Sequence, residues 1–129
     1  MVGLGMSSTS CFQGIIEVIP WLSSVIFRVF DGEEIQAWLI GSIANGSLDS
    51  KDCDVLIMLN SSCISQLVKV SPIWRKEFEE RFRLQLHLTR ITYDEVESCD
   101  LFLNAVFNKP NIEIKPEASP YNNPVGAAF

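Results

Sequence analysis

Histidine and zinc-type cysteine spacing are what this chain of 129 residues most conspicuously lacks: it holds one histidine, His87, and four cysteines, Cys11, Cys53, Cys63 and Cys99, with no C-x-x-C pair. That excludes the common zinc sites assembled from clustered Cys and His, and the thiols read as free in a reducing, cytoplasmic setting. Basic residues are few too. Ten Lys and Arg stand against 16 Asp and Glu, a formal charge of −6, which argues against extended nucleic acid held by bulk positive charge. A membrane span is also missing, because the most apolar stretch, 12–30, is interrupted by Gln13, Glu17, Pro20 and Arg28, and no basic segment precedes it as in a secretory signal. Seven Gly and six Pro are too few for a collagen-like or low-complexity chain.

With 47% apolar residues and a moderate charge, the chain is expected to fold around one core, and its length suits one domain. Residues 1–10, small and polar, are expected to form a flexible N-terminus, 11–115 the domain, and 116–129, with Pro116, Pro120 and Pro124, an irregular arm.

From Ile15 the apolar positions Val18, Ile19, Leu22, Val25, Ile26, Val29 and Phe30 recur at helical spacing, with Pro20 predicting a kink or a restart and Asp31-Gly32 the end. Ile35–Ile40 reads as a strand entering a turn at Gly41-Ser42, and 53–59, apolar on both alternations, as a central strand covered on both faces. Ser71-Pro72 reads as a helix start, followed by Trp74, Phe78 and Phe82 on one face and an expected Glu77/Arg81 ion pair. Residues 83–89 alternate strictly, Leu84, Leu86 and Leu88 against Arg83, Gln85, His87 and Thr89, which predicts a third strand. Helical spacing returns over 93–107, and Ile112 and Ile114 suit a short edge strand. These elements imply an α/β (α+β) domain, a small mixed β-sheet backed by helices on one side.

The chemistry concentrates in Gly41-Ser-Ile-Ala-Asn-Gly-Ser-Leu-Asp-Ser-Lys-Asp-Cys-Asp-Val55. Asp52 and Asp54 are two apart, so on an extended chain both carboxylates leave the same face, about 7 Å apart along the backbone. Oxygen donors of that kind suit Mg2+, which usually keeps several waters and completes its shell with substrate phosphates. Gly41 lets the backbone approach a phosphate with no Cβ in the way, and Ser42 adds an N–H and a hydroxyl. A nucleoside triphosphate is the ligand that would engage both halves. The alternative for Asp-x-Asp is turn chemistry, with carboxylates bonded to nearby backbone N–H groups.

Gly-Ser, nine residues (43–51), then Asp-x-Asp opening a strand resembles the DNA polymerase β-like nucleotidyltransferase superfamily. The wider pattern, Gly41-Ser42-x-Ala44-x-Gly46 with Ser50-x-Asp52-x-Asp54-Val55, is most similar to its small stand-alone members, including minimal nucleotidyltransferases that serve as antitoxins. The resemblance implies a nucleotidyltransferase-like core in which Gly41, Ser42, Asn45, Gly46 and Ser50 bind nucleotide, Asp52 and Asp54 bind Mg2+, and Asp52, Asp54 and His87 are catalytic. It implies transfer of a nucleoside monophosphate from Mg-NTP to a hydroxyl of a protein, small molecule or nucleic-acid end. There are two departures. Asn45 stands where small members often carry arginine, which keeps hydrogen bonding and loses charge. The third carboxylate expected on a later strand is replaced by His87, a poorer magnesium ligand and a suitable general base, unless Asp94 or Glu95 swings in. Loss of that carboxylate motivates the alternative of a catalytically degenerate module acting through protein interaction, with a toxin or a larger complex as partner chain.

Overall fold

The computed structural model describes residues 2–46 and 50–116, with side chains from Ile16 onward. The expected C-terminal arm, 116–129, lies outside the described residues except for Pro116. Four helices, α1 (Val2–Val29), α2 (Gly41–Ala44), α3 (Ile64–Phe82) and α4 (Asp100–Phe107), surround strands β1 (Ile35–Ile40), β2 (Asp52–Leu59), β3 (Gln85–Thr92) and β4 (Ile112–Ile114). The strands form one mixed sheet in the order β3-β2-β1-β4, in which β1 runs antiparallel to β2 and β4, and β2 runs parallel to β3. A parallel pair needs a long crossover, and α3 supplies it.

The alternation along β2 divides the core. Cys53, Val55, Ile57 and Leu59 face one side, where Val18, Leu22 and Ile26 of α1, Phe30 just after it, and Leu67, Trp74 and Phe78 of α3 bury against them. Leu56 and Met58 face the other side and pack with Ile91 and with Leu103 of α4, flanked by Trp38, Ile40 and Val106. The expectation of helices on one side is therefore corrected: α4 covers the second face. Burial on both sides explains why 53–59 is apolar on both alternations once the aspartates are passed.

Both prolines fall inside uninterrupted helices. α1 continues through Pro20, and its backbone reaches Val2, ahead of the periodicity that begins at Ile15. The carbonyl of Ile16, deprived of its N–H partner at Pro20, belongs to a residue 54% exposed, so water can take the bond. Ser71-Pro72 is not a helix start either, since α3 begins at Ile64. Pro72 is exposed, as is Val68 four residues earlier, and the buried Ser71 hydroxyl donates to the Leu67 carbonyl at 2.6 Å. Residues 93–107 are not one helix but a 3-10 turn (Tyr93–Glu95) and then α4. Arg81 meets Glu17 of α1 at 3.9 Å rather than the expected Glu77, and both partners are more than half exposed, so the pair adds little stability. Ser23, buried in α1, donates to the Lys115 carbonyl at 2.6 Å and ties the helix to the end of β4.

Among the described residues no helix is long and apolar enough to cross a membrane, and Cys53, Cys63 and Cys99 are free thiols. Burial, reinforced by the Asp54 charge, pushes the Cys53 thiol up to about 12. Burial also raises Cys63, whose Sγ donates to Glu33 Oε1 at 3.6 Å. Thiolate is the reactive form. Of these three, half-buried Cys99 is therefore expected to take up a maleimide first at pH 8, with Cys53 and Cys63 modified only on unfolding. Time-resolved peptide mapping checks the order, and early labelling of Cys53 would contradict it.

Candidate functional site

The site begins where β1 ends. Register pairs Ile40 with Asp54, so the next residue, Gly41, meets the Asp54 side chain as the chain turns into α2. Gly41 has φ +78°, and a Cβ added there would lie 2.5 Å from Asp54 Oδ2 and 3.3 Å from its Cβ and Cγ. Both the left-handed backbone and the close approach require glycine. The single turn of α2 is closed by the Asn45 N–H donating to the Gly41 carbonyl at 3.1 Å and the Gly46 N–H donating to Ile43 at 3.0 Å, with Gly46 again at positive φ (+87°). Ser50 returns to the start of the loop, its hydroxyl donating to the Ser42 hydroxyl at 2.7 Å. That bond pins the entrance of β2 to the exit of β1.

Asp52 and Asp54 leave the same face of β2 as Leu56 and Met58, the side covered further along by α4. The parallel register sets Asp54 opposite His87 and Asp52 opposite Gln85. His87 stands between the two acids, Nδ1 3.3 Å from Asp54 Oδ1 and Nε2 3.9 Å from Asp52 Oδ1. The three side chains are about half open to solvent, at 50%, 48% and 35% exposure for His87, Asp52 and Asp54, so the cluster is a reachable charged patch rather than a buried ion pair.

Asp94 and Glu95 do not reach this cluster. They follow Thr92, which pairs with Leu59 at the other end of β2; Thr92 stands five positions beyond His87 along the strand, roughly 16 Å. Glu95 is engaged there, its Oε1 accepting from the Thr92 N–H at 2.9 Å and the Thr92 hydroxyl at 2.8 Å. Those bonds, the backbone one first, hold its carboxyl below the usual range.

Gly41, Ser42 and Asn45 line a hollow of about 280 Å³ with Lys109 and Pro110. Next to it, Ile40, Gly41, Phe102, Ala105, Val106 and Lys109 line another of about 240 Å³. Neither Lys109 nor Phe102 was marked by a motif; they reach the site only through the packing of α4 and β4. Among the described residues no set of three or more His, Cys, Asp or Glu is arranged to hold a metal ion. The donor chemistry nevertheless fits Mg2+ in a limited way: two accessible carboxylates on one face, with the remaining positions left to water and substrate phosphates. Asp52 and Asp54 would hold it.

Replacing Gly41 by alanine tests this arrangement. The positive φ costs about 1–2 kcal/mol for a residue with a Cβ, and the Asp54 carboxylate must move. Gly41→Ala is therefore expected to melt a few degrees lower in thermal denaturation. An unchanged melting temperature would show that Asp54 need not sit against the turn.

No protein-family model matches the sequence, and no curated protein matches it. A solved structure that it resembles is described as "Crystal structure of a putative nucleotidyltransferase from Sulfolobus solfataricus", with a TM-score of 0.45 and 16% identity, covering 81% of this chain and 85% of that chain.

Proposed function

We propose that the protein transfers a nucleoside monophosphate from a magnesium-bound nucleoside triphosphate to a hydroxyl on a protein, a small molecule or a nucleic-acid end. The observation that carries this reading is the contact of Asp54 with Gly41, which brings an acid suited to a divalent cation against a turn suited to phosphate. In this reading Ser42 and the backbone around Gly41 hold the phosphate chain, with Asn45, Gly46 and Ser50 shaping the loop that carries them. Mg2+, when bound, neutralises charge on the phosphates. The acceptor oxygen forms a bond to the α-phosphorus, the bond from that phosphorus to the bridging oxygen breaks, and pyrophosphate departs with the electron pair. A proton on Nδ1 of His87, facing Asp54, leaves Nε2 as the basic nitrogen that takes the acceptor proton.

The second reading, a catalytically degenerate module acting through protein contacts, is favoured by one feature: a histidine faces Asp54 where a third carboxylate is expected. Thermal melts separate the two. Each of the four ribonucleoside triphosphates, at a concentration about 100 times its dissociation constant, is expected to stabilise the folded state by about 2.7 kcal/mol with Mg2+ present, and less with EDTA. Melts that ignore every triphosphate would remove the enzymatic reading and leave the interaction module.

A further inference from the structure

The electrostatics of the proposed site are incomplete as the motif residues stand. A triphosphate brought beside Asp52 and Asp54 meets two carboxylates, and Asn45 offers hydrogen bonds without charge. Lys109 is the cationic side chain lining the hollow that holds Gly41, Ser42 and Asn45. We propose that Lys109 is a phosphate-binding residue that clamps the polyphosphate of the nucleotide against the Gly41-Ser42 turn. This inference rests on the nucleotidyltransferase reading and assigns it a residue from outside the motif.

The topology explains how a lysine more than fifty positions later comes to the turn. β4 pairs with β1, with Ile112 opposite Leu39. The connection from α4 to β4 must then pass the end of β1, and Lys109-Pro110 is that connection. Its backbone is fixed by the Lys109 N–H donating to Val106 at 3.1 Å, and by the Asn111 side-chain amide donating to the Lys109 carbonyl at 2.9 Å. The ammonium is exposed, and among the described residues no carboxylate lies within ion-pair distance of it. A lysine so placed keeps its charge available to an incoming anion.

Lys109 also borders the second hollow, together with Ile40, Phe102, Ala105 and Val106. A cation shared by two adjoining hollows stands where a phosphate chain can join a nucleoside. Binding is read by calorimetry with Mg2+, using ATP, inorganic triphosphate and adenosine on the full chain, for wild type, Lys109→Ala and Lys109→Arg, with melts as a fold control.

Lys109→Ala is expected to weaken ATP and triphosphate at least about tenfold, to leave adenosine unchanged, and to be largely restored by arginine. If wild type binds ATP and Lys109→Ala binds it equally, the clamp is overturned while the nucleotidyltransferase reading stands. Equal losses for ATP and adenosine would also overturn it, because the lysine would then act through the fold. Failure of wild type to bind any phosphate ligand removes the reading itself, and the clamp with it.

Discussion

If the proposed transfer reaction is the protein's activity, Asp54→Asn is expected to lower it about 1,000-fold while moving the melting temperature by only a few degrees. Asparagine keeps the shape that packs against Gly41 and removes one of the two negative charges suited to a divalent cation. Stabilisation of phosphoryl charge by such an ion amounts to several kcal/mol, and each 1.36 kcal/mol is about tenfold in rate. The stability side is small because the Asp54–His87 pair is partly open to water, at 35% and 50% exposure, and ion pairs of that kind contribute about 0–1 kcal/mol. Transfer is measured with α-labelled triphosphate and a heat-treated cell extract that offers protein, small-molecule and nucleic-acid hydroxyls together. Melts with and without Mg2+ give a second readout, since the variant should lose the magnesium-dependent part of nucleotide stabilisation. Equal labelling by wild type and variant would remove Asp54 from the chemistry.

The site was legible in the sequence where its parts are local. Gly-Ser and Asp-x-Asp lie within fourteen residues, on strands whose apolar pattern was plain, and β1 and the bulk of β2 fall where that pattern put them. Strict alternation also placed His87 on the face opposite Leu86, as observed. What alternation alone did not contain was the neighbour: His87 meets Asp54 because β3 pairs with β2 in parallel, a property of the crossover through α3. The same non-local pairing removes Asp94 and Glu95, which look close in sequence and sit at the far end of the strand. Lys109 was hidden for a related reason, since its place beside Gly41 depends on β4 adding to β1. Prolines misled differently. Ser71-Pro72 carries the chemistry of a helix start, yet Val68, whose carbonyl Pro72 frees, is an exposed residue that water can reach, and tertiary packing of Leu67 and Trp74 carries the helix through.

The largest effect on stability is expected at Phe78, on the sheet face opposite the acids. Its ring is fully buried, 0% exposed, and meets Trp21 edge-on with centroids 5.5 Å apart and Phe82 at 4.7 Å. Phe78→Ala removes the ring from a layer where α1 and α3 close over Val55 and Ile57, and phenylalanine-to-alanine changes in such cores cost about 3–5 kcal/mol. Against a total stability of about 5–15 kcal/mol, that is about a fifth of the total or more. Chemical denaturation should show the loss as a lower midpoint with an unchanged slope, and Trp21 fluorescence should change because its edge contact is gone. The same substitution at Phe102, 43% exposed on α4, is expected to cost clearly less, because nearly half of its surface is already in water. Equal losses at the two positions would mean that α4 contributes as much to the core as α3. The nucleotide binding proposed for the wild type is expected to persist in Phe78→Ala, measured well below its new midpoint: Asp52, Asp54 and His87 are set by the pairing of β2 with β3, which survives as long as the sheet does.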